Sequence, residues 1–577
     1  MYLRKCHVSK DKTGHLYWQL VESYRTERGP RQRVVAYLGD MEEAGRAGVM
    51  AAARGEGGAH QARLLGEEVA PEWVEVDVSR VVVERVLDYG AYWLGVEVAK
   101  KLGLLAFLDE ALGQGREEVP WSVMVLLLVV MRLVEPSSEL RISEDLFERS
   151  ALGDLLGIPA ERVNDDRLYR ALDKVLPQKV ALETHLKERL GELFHLEYDL
   201  LLYDVTSTYF EGESAGNEQA RFGYSRDKRS DCKQVCIALV VSGEGMPLGY
   251  EQFAGNRADV TTVQEIVGKI ERQYGKAERI WVMDRGMISE QNLAFLRSGG
   301  RRYLVGTPRG QLRRFQAEVA SEEGWQPIAA GLTAKLLAEG AGEETFLLCR
   351  SAARGAKERA MQERFARRIE EGLVQLAESC RGEKKLRPSQ VERRVGALLS
   401  ANSRAKGLFQ VKVGVREDGG ARVEWEKLET PARWAALKEG CYLLRSNVQD
   451  GSAEQLWRTY IQLTEAEAAF RIQKSDLRMR PIWHQRGERV AAHILVCFLA
   501  YVVWKALGQL CQAAGLGDEP RKVLDELRGI KMVDVVLPTK SGMRLRRRCL
   551  SQPTKAQAIL LDRLGLRLPG AQTVPEM

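Results

Sequence analysis

The chain has little of what an exported or zinc-ribbon protein uses. Its nine cysteines, at positions 6, 232, 236, 349, 380, 441, 497, 511 and 549, are odd in number and scattered, with no Cys-x2-Cys pair. That pattern argues against both a disulfide scaffold and a zinc ribbon. Seven histidines stand too far apart in sequence to suggest a zinc site, and His484 and His493 read as packed or phosphate-facing side chains. The opening residues, Met1 to Val8, lack the apolar core of a signal peptide. Two apolar runs, Val123 to Val130 and Val490 to Trp504, fall below the roughly 20 residues of a membrane span, and the second carries His493. Both read as buried helices. A Gly-x4-Gly-Lys-Ser/Thr loop and a Gly-x-Ser-x-Gly elbow are absent, so neither nucleotide use nor a serine hydrolase is indicated. No internal repeat or heptad seam is visible. These absences describe a reduced, cytoplasmic protein without membrane or nucleotide cofactor. At 577 residues it is too long for one core.

What the chain does have is unevenly placed positive charge. The net excess is only +6, yet Ser351 to Lys406 alone holds 14 Lys and Arg against 7 Asp and Glu. Smaller basic clusters lie at Arg221 to Lys233, at Arg471 to Arg489, and at Lys540 with Arg544, Arg546, Arg547 and Arg548. Concentrated charge suits a phosphate-binding surface, although residues 351 to 380 also fit a solvated helix face of interleaved ion pairs.

Periodicity divides the chain. Residues 1–75 form a small basic β-rich module plus a linker. Its strand candidates are Leu16 to Tyr24 and Gln32 to Leu38, with turns at Gly14 and Gly29-Pro30, and its Gly/Ala-rich stretch spans residues 46–70. Residues 76–197 show three- and four-residue apolar spacing and read as an all-α, DNA-binding region. From 198 to 310 the order is three strands, helix, strand, helix, strand: Leu200 to Asp204, Val235 to Val241, Leu248 to Phe253, Val260 to Tyr274, Ile280 to Asp284, Ser289 to Leu296 and Arg302 to Gly306. That is an α/β arrangement with a mixed sheet, in the order of the RNase H-like fold. Residues 311–450 interrupt it as an insertion of strands and basic helices, with Thr345 to Cys349 as the first clear strand. Residues 451–512 return to the core as helices, and 513–577 read as a basic C-terminal tail. The fold class expected is multidomain α+β.

Three acids stand out. Asp204 and Asp284 end the apolar runs Leu200 to Tyr203 and Ile280 to Met283, and Glu467 lies on the helix expected over Trp457 to Asp476. A lone Asp after a strand is often only a turn former. Two in one sheet strengthen each other, and Gly286 allows a sharp turn beside the second. Glu467, Arg471 and Lys474 recur at i, i+4 and i+7, which places one carboxylate and two cations on a shared helix face. An isolated helix with that spacing is a surface ion-pair ladder; its position after the α/β region favours a site. Three carboxylates are the ligand type that Mg²⁺ prefers, and a pair of such ions suits phosphodiester chemistry.

A family resemblance rests on these residues. Tyr460-x2-Leu463-x3-Glu467-x6-Lys474 resembles the Tyr-x2-Arg-x3-Glu-x6-Lys signature of insertion-sequence DDE transposases in the IS-four-type superfamily. Asp204 and Asp284 match that family's first two catalytic aspartates. Gly223 to Asp231, Gly255-Asn256-x2-Asp259 and Arg480 to His484 resemble its long branch, in which β-strands interrupt the RNase H-like catalytic domain. The register selects Glu467 over Glu465. The family's Arg position is Leu463 here, and Arg471, one turn beyond Glu467, is the residue expected to take over its phosphate contact.

The resemblance implies Mg²⁺-dependent cleavage at transposon ends and strand transfer into target DNA. It further implies two ions, with Mn²⁺ as a substitute, on Asp204, Asp284 and Glu467. Tyr460, Lys474 and Arg471 would orient phosphate. The partners implied are double-stranded DNA, as terminal inverted repeats and target, and a second copy of the chain in the synaptic complex. The protein would then be nucleoid-associated when bound to DNA. Two rivals stand beside this reading: a structure-selective RNase H-like nuclease, and a co-opted or inactive copy that only binds DNA. Relatives that cut through a hairpin hold a flipped base on an aromatic residue. Trp425 and Trp434 are the nearest candidates, and both read as core. For Arg471 the expected outcome is that Arg471→Ala weakens binding to transposon-end DNA in a filter assay; unchanged affinity would remove it from the phosphate contacts.

Overall fold

The computed structural model describes residues 2–8, 15–26, 29–37, 74–113, 115–338, 344–382, 386–569 and 572–573. The expected turn at Gly14 and the linker over 46–70 lie outside these residues. The chain folds as two compact units, one of Met1–Ala277 with Thr464–Met577 and one of Glu278–Leu463.

In the first unit, β1 (Tyr2–Val8), β2 (His15–Thr26) and β3 (Gly29–Tyr37) form an antiparallel meander. Gly29, the first residue of β3, sits at φ 105°, where a side chain is strained. Next comes β4 (Val82–Asp88), within a stretch expected to be all helical. Its run of valines is β-branched and prefers a pleated strand.

The helices Gly90–Lys101 and Trp121–Val134 follow. The second is buried on nearly every side, which is why its sequence is apolar all round rather than striped. Two further helices, Asp165–Val175 and Lys179–Phe194, lead into the meander β5 (Leu200–Tyr209), β6 (Gln234–Ser242) and β7 (Pro247–Ala254). Strand β6 is buried along its whole length. Helix Lys179–Phe194 is fixed to β7 by a buried ion network: Glu183 pairs with Lys269 at 2.9 Å, and Lys179 with Glu251 at 2.6 Å.

The second unit begins with β8 (Ile280–Met283), helix Glu290–Ser298 and β9 (Arg302–Gly306), the two strands being parallel. It continues through β10 (Gln326–Ala329), β11 (Leu332–Ala338) and β12 (Thr345–Ser351). Helices Ala352–Arg381 and Pro388–Ala401 pack on the hairpin of β13 (Phe409–Val415) and β14 (Ala421–Lys427) around a core that includes Ile369, Leu373 and Val391. Strand β15 (Cys441–Ser446) then pairs with both β12 and β9, giving the order β10-β11-β12-β15-β9-β8. The sheet therefore runs across the expected boundary at 311, and the segment outside it is the α-rich stretch between β12 and β15. Strand β11, Leu-Thr-Ala-Lys-Leu-Leu-Ala, escaped the sequence reading because its residues favour helix, and pairing to β10 and β12 overrides that preference.

The chain returns to the first unit through helix Leu463–Arg471 and the 27-residue helix Gly487–Ala513. The latter is long and apolar enough to cross a membrane, with a mean hydropathy of 2.0 in its most apolar window, but 89% of that window is buried within the protein. It packs against Trp121–Val134 as a core helix. His493 sits inside it as neutral imidazole, since burial first and the Arg132 charge second push its pKa down to about 3. Residues 513–577, expected as a basic tail, are folded: helix Pro520–Leu527, β16 (Lys531–Pro538), β17 (Arg544–Leu550) and helix Lys555–Arg563. Strand β16 pairs with β4 on one side and β17 on the other. The arginines of β17 look like a solvated tail in sequence, but Arg548 ion-pairs the buried Asp534 and Arg546 pairs Glu84.

Gly90 opens its helix against the turn before β16. A Cβ there would lie 2.1 Å from the Leu527 carbonyl oxygen and 2.9 Å from Ile530 Cβ. Gly90→Ala is expected to cost about 1–3 kcal/mol, the usual range for overpacking, read as a lowered midpoint in urea unfolding. An unchanged midpoint would show that the contact is not tight.

Candidate active site and nucleic-acid surface

Asp204 lies in the middle of β5, not at its end as the apolar run suggested. Val205 to Tyr209 continue the ladder, with Asp204 opposite Leu239 and Tyr209 opposite Gln234. The β-prone Val, Thr and Tyr residues after the aspartate carry the strand onward. Its carboxylate is half-buried, and Oδ1 accepts from the Val205 amide at 2.8 Å.

Glu467, also in the first unit, is exposed on helix Leu463–Arg471 and forms no ion pair among the described residues. Glu465, two residues earlier, lies 3.8 Å from Lys505 Nζ. Among the described residues, Glu465 thus faces a cation of the first unit and Glu467 does not.

The helix expected over Trp457 to Asp476 is broken. One helix ends at Ile461, a second runs from Leu463 to Arg471, and a wide π-helical turn follows over Ile472–Asp476. The extra residue per turn shifts the register after Arg471, so Lys474 leaves the face that Glu467 and Arg471 share. Arg471 is exposed, whereas Lys474 is buried at 8% exposure and pairs with Asp227 at 3.1 Å.

Asp227 is the residue the sequence reading passed over. It sits within the basic cluster Arg221 to Lys233, and its signal was an acid directly flanked by Arg226 and Lys228. In the structure its side chain is 5% exposed and ion-pairs Arg480 as well as Lys474. Burial, more than any other influence, lowers the Lys474 pKa, and the Asp227 charge opposes that fall. Arg226 pairs with Asp259, and its amide donates to Ser207 Oγ on β5 at 3.3 Å. Three segments noted for their resemblance, around Gly223, Gly255 and Arg480, therefore meet in one charged cluster beside β5. Two glycines allow the approach: a Cβ on Gly223 would lie 2.1 Å from the Gly255 carbonyl, and one on Gly255 would lie 1.9 Å from the Gln234 carbonyl.

In the second unit, Asp284 follows β8 directly and starts the turn Arg285–Met287. Its one side-chain hydrogen bond among the described residues comes from Tyr460 OH, 3.5 Å from Oδ1. Burial, then the Asp284 charge, push the Tyr460 phenol up, so it donates and does not ionise. Gly306 at the end of β9 makes room, since a Cβ there would meet Tyr460 OH at 2.4 Å.

The same unit holds a cationic cavity of about 1020 Å³ lined by Arg285, Arg309, Arg354, Lys357, Arg404 and Lys438, with Glu358, Glu439 and Trp434. Glu358 pairs with both Arg309 and Arg354. Positive charge still dominates: burial, followed by the charges of Arg354, Arg285 and Arg404, lowers the Arg309 pKa. Trp434 flanks the core that includes Phe346 as well as lining this cavity, while Trp425 packs on the core of the β13–β14 hairpin.

Residues 195–503, more than half of the chain, match the family model of the transposase DDE domain. The chain belongs to the DDE transposases. Residues 3–67 match the N-terminal domain of IS1634 family transposases, so this is an insertion-sequence transposase, an enzyme that cuts and joins DNA. Divalent-metal dependence is general for the family. Among solved structures, the piggyBac transposase synaptic complex with hairpin DNA aligns at 10% identity over 76% of this transposase and 78% of that chain, with a TM-score of 0.35, a superposition too loose to set the fold. No curated protein matches the chain.

Removing the bridging carboxylate would leave Lys474 buried without its counter-ion and Arg480 without its partner. Asp227→Ala is expected to destabilise the transposase by about 3–5 kcal/mol, as breaking a buried pair does, with Asp227→Asn intermediate. Urea denaturation measures it, and a wild-type midpoint for Asp227→Ala would show that the cluster contributes nothing to stability.

Proposed function

We propose that Asp204, Asp284 and Glu467 are the catalytic carboxylates of this transposase, on an RNase H-like core interrupted by the α-rich segment between β12 and β15. The observation that carries this reading is that all three lie within the matched DDE stretch, two of them on or directly after strands. The donor set is all carboxylate oxygen, and among the described residues Asp284 and Glu467 form no ion pair, which fits a hard divalent ion. Carboxylates of this kind hold Mg²⁺, as two ions with Mn²⁺ as a substitute, whose chemistry when bound is activation of the attacking water or 3′-OH and stabilisation of the leaving oxygen.

The chain's own residues do the rest. Tyr460 donates to Asp284 and holds that carboxylate in one orientation. The cavity around Arg309 and Arg354 grips backbone phosphates, and its charge serves DNA of any sequence. Arg471, exposed one turn after Glu467, contacts phosphate. Lys474 serves from within, through Asp227, setting the turn that follows the Glu467 helix. In this reading the N-terminal module and the helical region bind the terminal inverted repeats, two copies of the chain bring two ends together, and the work is done in the cytoplasm on nucleoid DNA, where nine free thiols stay reduced.

Asp204→Ala, Asp284→Ala and Glu467→Ala are each expected to lower cleavage of labelled transposon-end DNA by about 10³-fold or more while leaving its mobility shift intact. Wild-type cutting by any one variant removes that residue from the set.

A further inference from the structure

Away from the acids just discussed, the first unit buries a second group of metal-binding side chains. Glu139, at the start of a short helical segment, His484, in the loop after Arg480, and His493, on helix Gly487–Ala513, each place a donor atom within 4.8 Å of the other two. Glu139 is 4% exposed and His493 is 6% exposed. The histidines were set aside in sequence because their spacing is not that of a zinc motif, and the third donor lies more than 300 residues upstream.

Two details separate this group from an ordinary buried ion pair. First, His493 Nε2 lies 3.1 Å from the Met479 carbonyl, which can only accept, so the proton of the neutral ring is on Nε2. The lone pair is then on Nδ1, and Nδ1 is buried with no hydrogen-bond partner. A backbone carbonyl fixing the far nitrogen is the usual way a ligating histidine is oriented. Second, His484 Nε2 and Glu139 Oε1 are 3.5 Å apart. That exceeds the roughly 2.7–2.9 Å of a charge-assisted hydrogen bond. It is close to the edge of a tetrahedron whose ligand bonds are about 2.0–2.1 Å, roughly 3.4 Å.

We infer that Glu139, His484 and His493 form a buried site for a zinc-class divalent ion, distinct in its residues from the carboxylate set. Two imidazoles and one carboxylate are borderline donors that suit Zn²⁺ and do not suit Mg²⁺, which takes oxygen. The fourth position is left to a water. Cys497 Sγ, 3.8 Å from the proton-bearing Nε2 of His493, lies on the ring's other nitrogen. The charge of Arg132, felt by both Glu139 and His493, works against the ion and is offset by the Glu139 carboxylate. The ion's role is structural. It joins the loop that carries Arg480, and through Arg480 the Asp227–Lys474 cluster, to the buried helix Gly487–Ala513.

The test uses the full chain carrying Glu467→Ala, so that metal on the proposed catalytic carboxylates does not confuse the count. After purification without added metal or a histidine tag, elemental analysis is expected to find one zinc per chain. Chelator-stripped protein is expected to regain thermal stability on adding one equivalent of Zn²⁺ but not Mg²⁺. Cobalt substitution is expected to give the visible bands of a tetrahedral nitrogen–oxygen site, and both responses are expected to vanish in His484→Ala and in Glu139→Gln. Should either variant fail to fold, the zinc content and cobalt spectrum of the parent protein still decide. Absence of bound zinc together with no Zn²⁺-dependent shift in Tm overturns the proposal, and so does zinc retained undiminished in both folded variants.

Discussion

A buried carboxylate surrounded by cations is the interaction on which the interior of the first unit depends. Asp227 takes Lys474 from the turn after the Glu467 helix and Arg480 from the loop that follows. The neighbouring Arg226 takes Asp259, from the segment between β7 and its following helix, and bonds to Ser207 on β5. Each charge is costly to bury alone and is tolerable only in company. The consequence is geometric: segments from four places in the sequence have one arrangement in which every charge is paired, and that arrangement sets the direction in which the Glu467 helix leaves the core.

Much of the fold could be read from the chain. Strands β5 to β9 carry β-branched runs bounded by turns, and their type and order follow from that pattern. The acids could be put forward as candidates because carboxylates attached to apolar strands are unusual in composition and because the Tyr460–Glu467–Lys474 spacing is distinctive. What escaped was non-local. Lys474 reads as a surface cation at helical spacing, and only the π-helical widening after Arg471 turns it inward. Asp227 is masked by the basic residues around it. Strand β4 pairs with β16 from the far end of the chain, so it has no local partner to reveal it, and the arginines of β17 disguise the local hairpin it forms with β16.

The distribution of charge was legible in amount and less so in placement. The excess found in Ser351 to Lys406 supplies Arg354, Lys357 and Arg404 to the cationic cavity, but Arg285, Arg309 and Lys438 come from outside that stretch. Elsewhere, positive residues that look free in sequence are engaged: Arg548 by Asp534 and Asp154, and Arg445 by Glu344 and Glu290. Sequence charge overstates the surface available to a polyanion wherever arginines are employed internally.

The pairing of β4 with β16 also bears on how the protein is made. Val86 is opposite Val533, so a strand synthesised early waits for one synthesised near the end. At about 5–20 residues per second the wait is roughly 20–90 s. The contiguous unit Glu278–Leu463 emerges complete within that interval, whereas the unit that begins the chain cannot close until its last strands arrive. Maturation therefore runs from the middle outward. A product ending before β16 would carry the residues of the cationic cavity and Asp284 but would leave β4 without its partner strand.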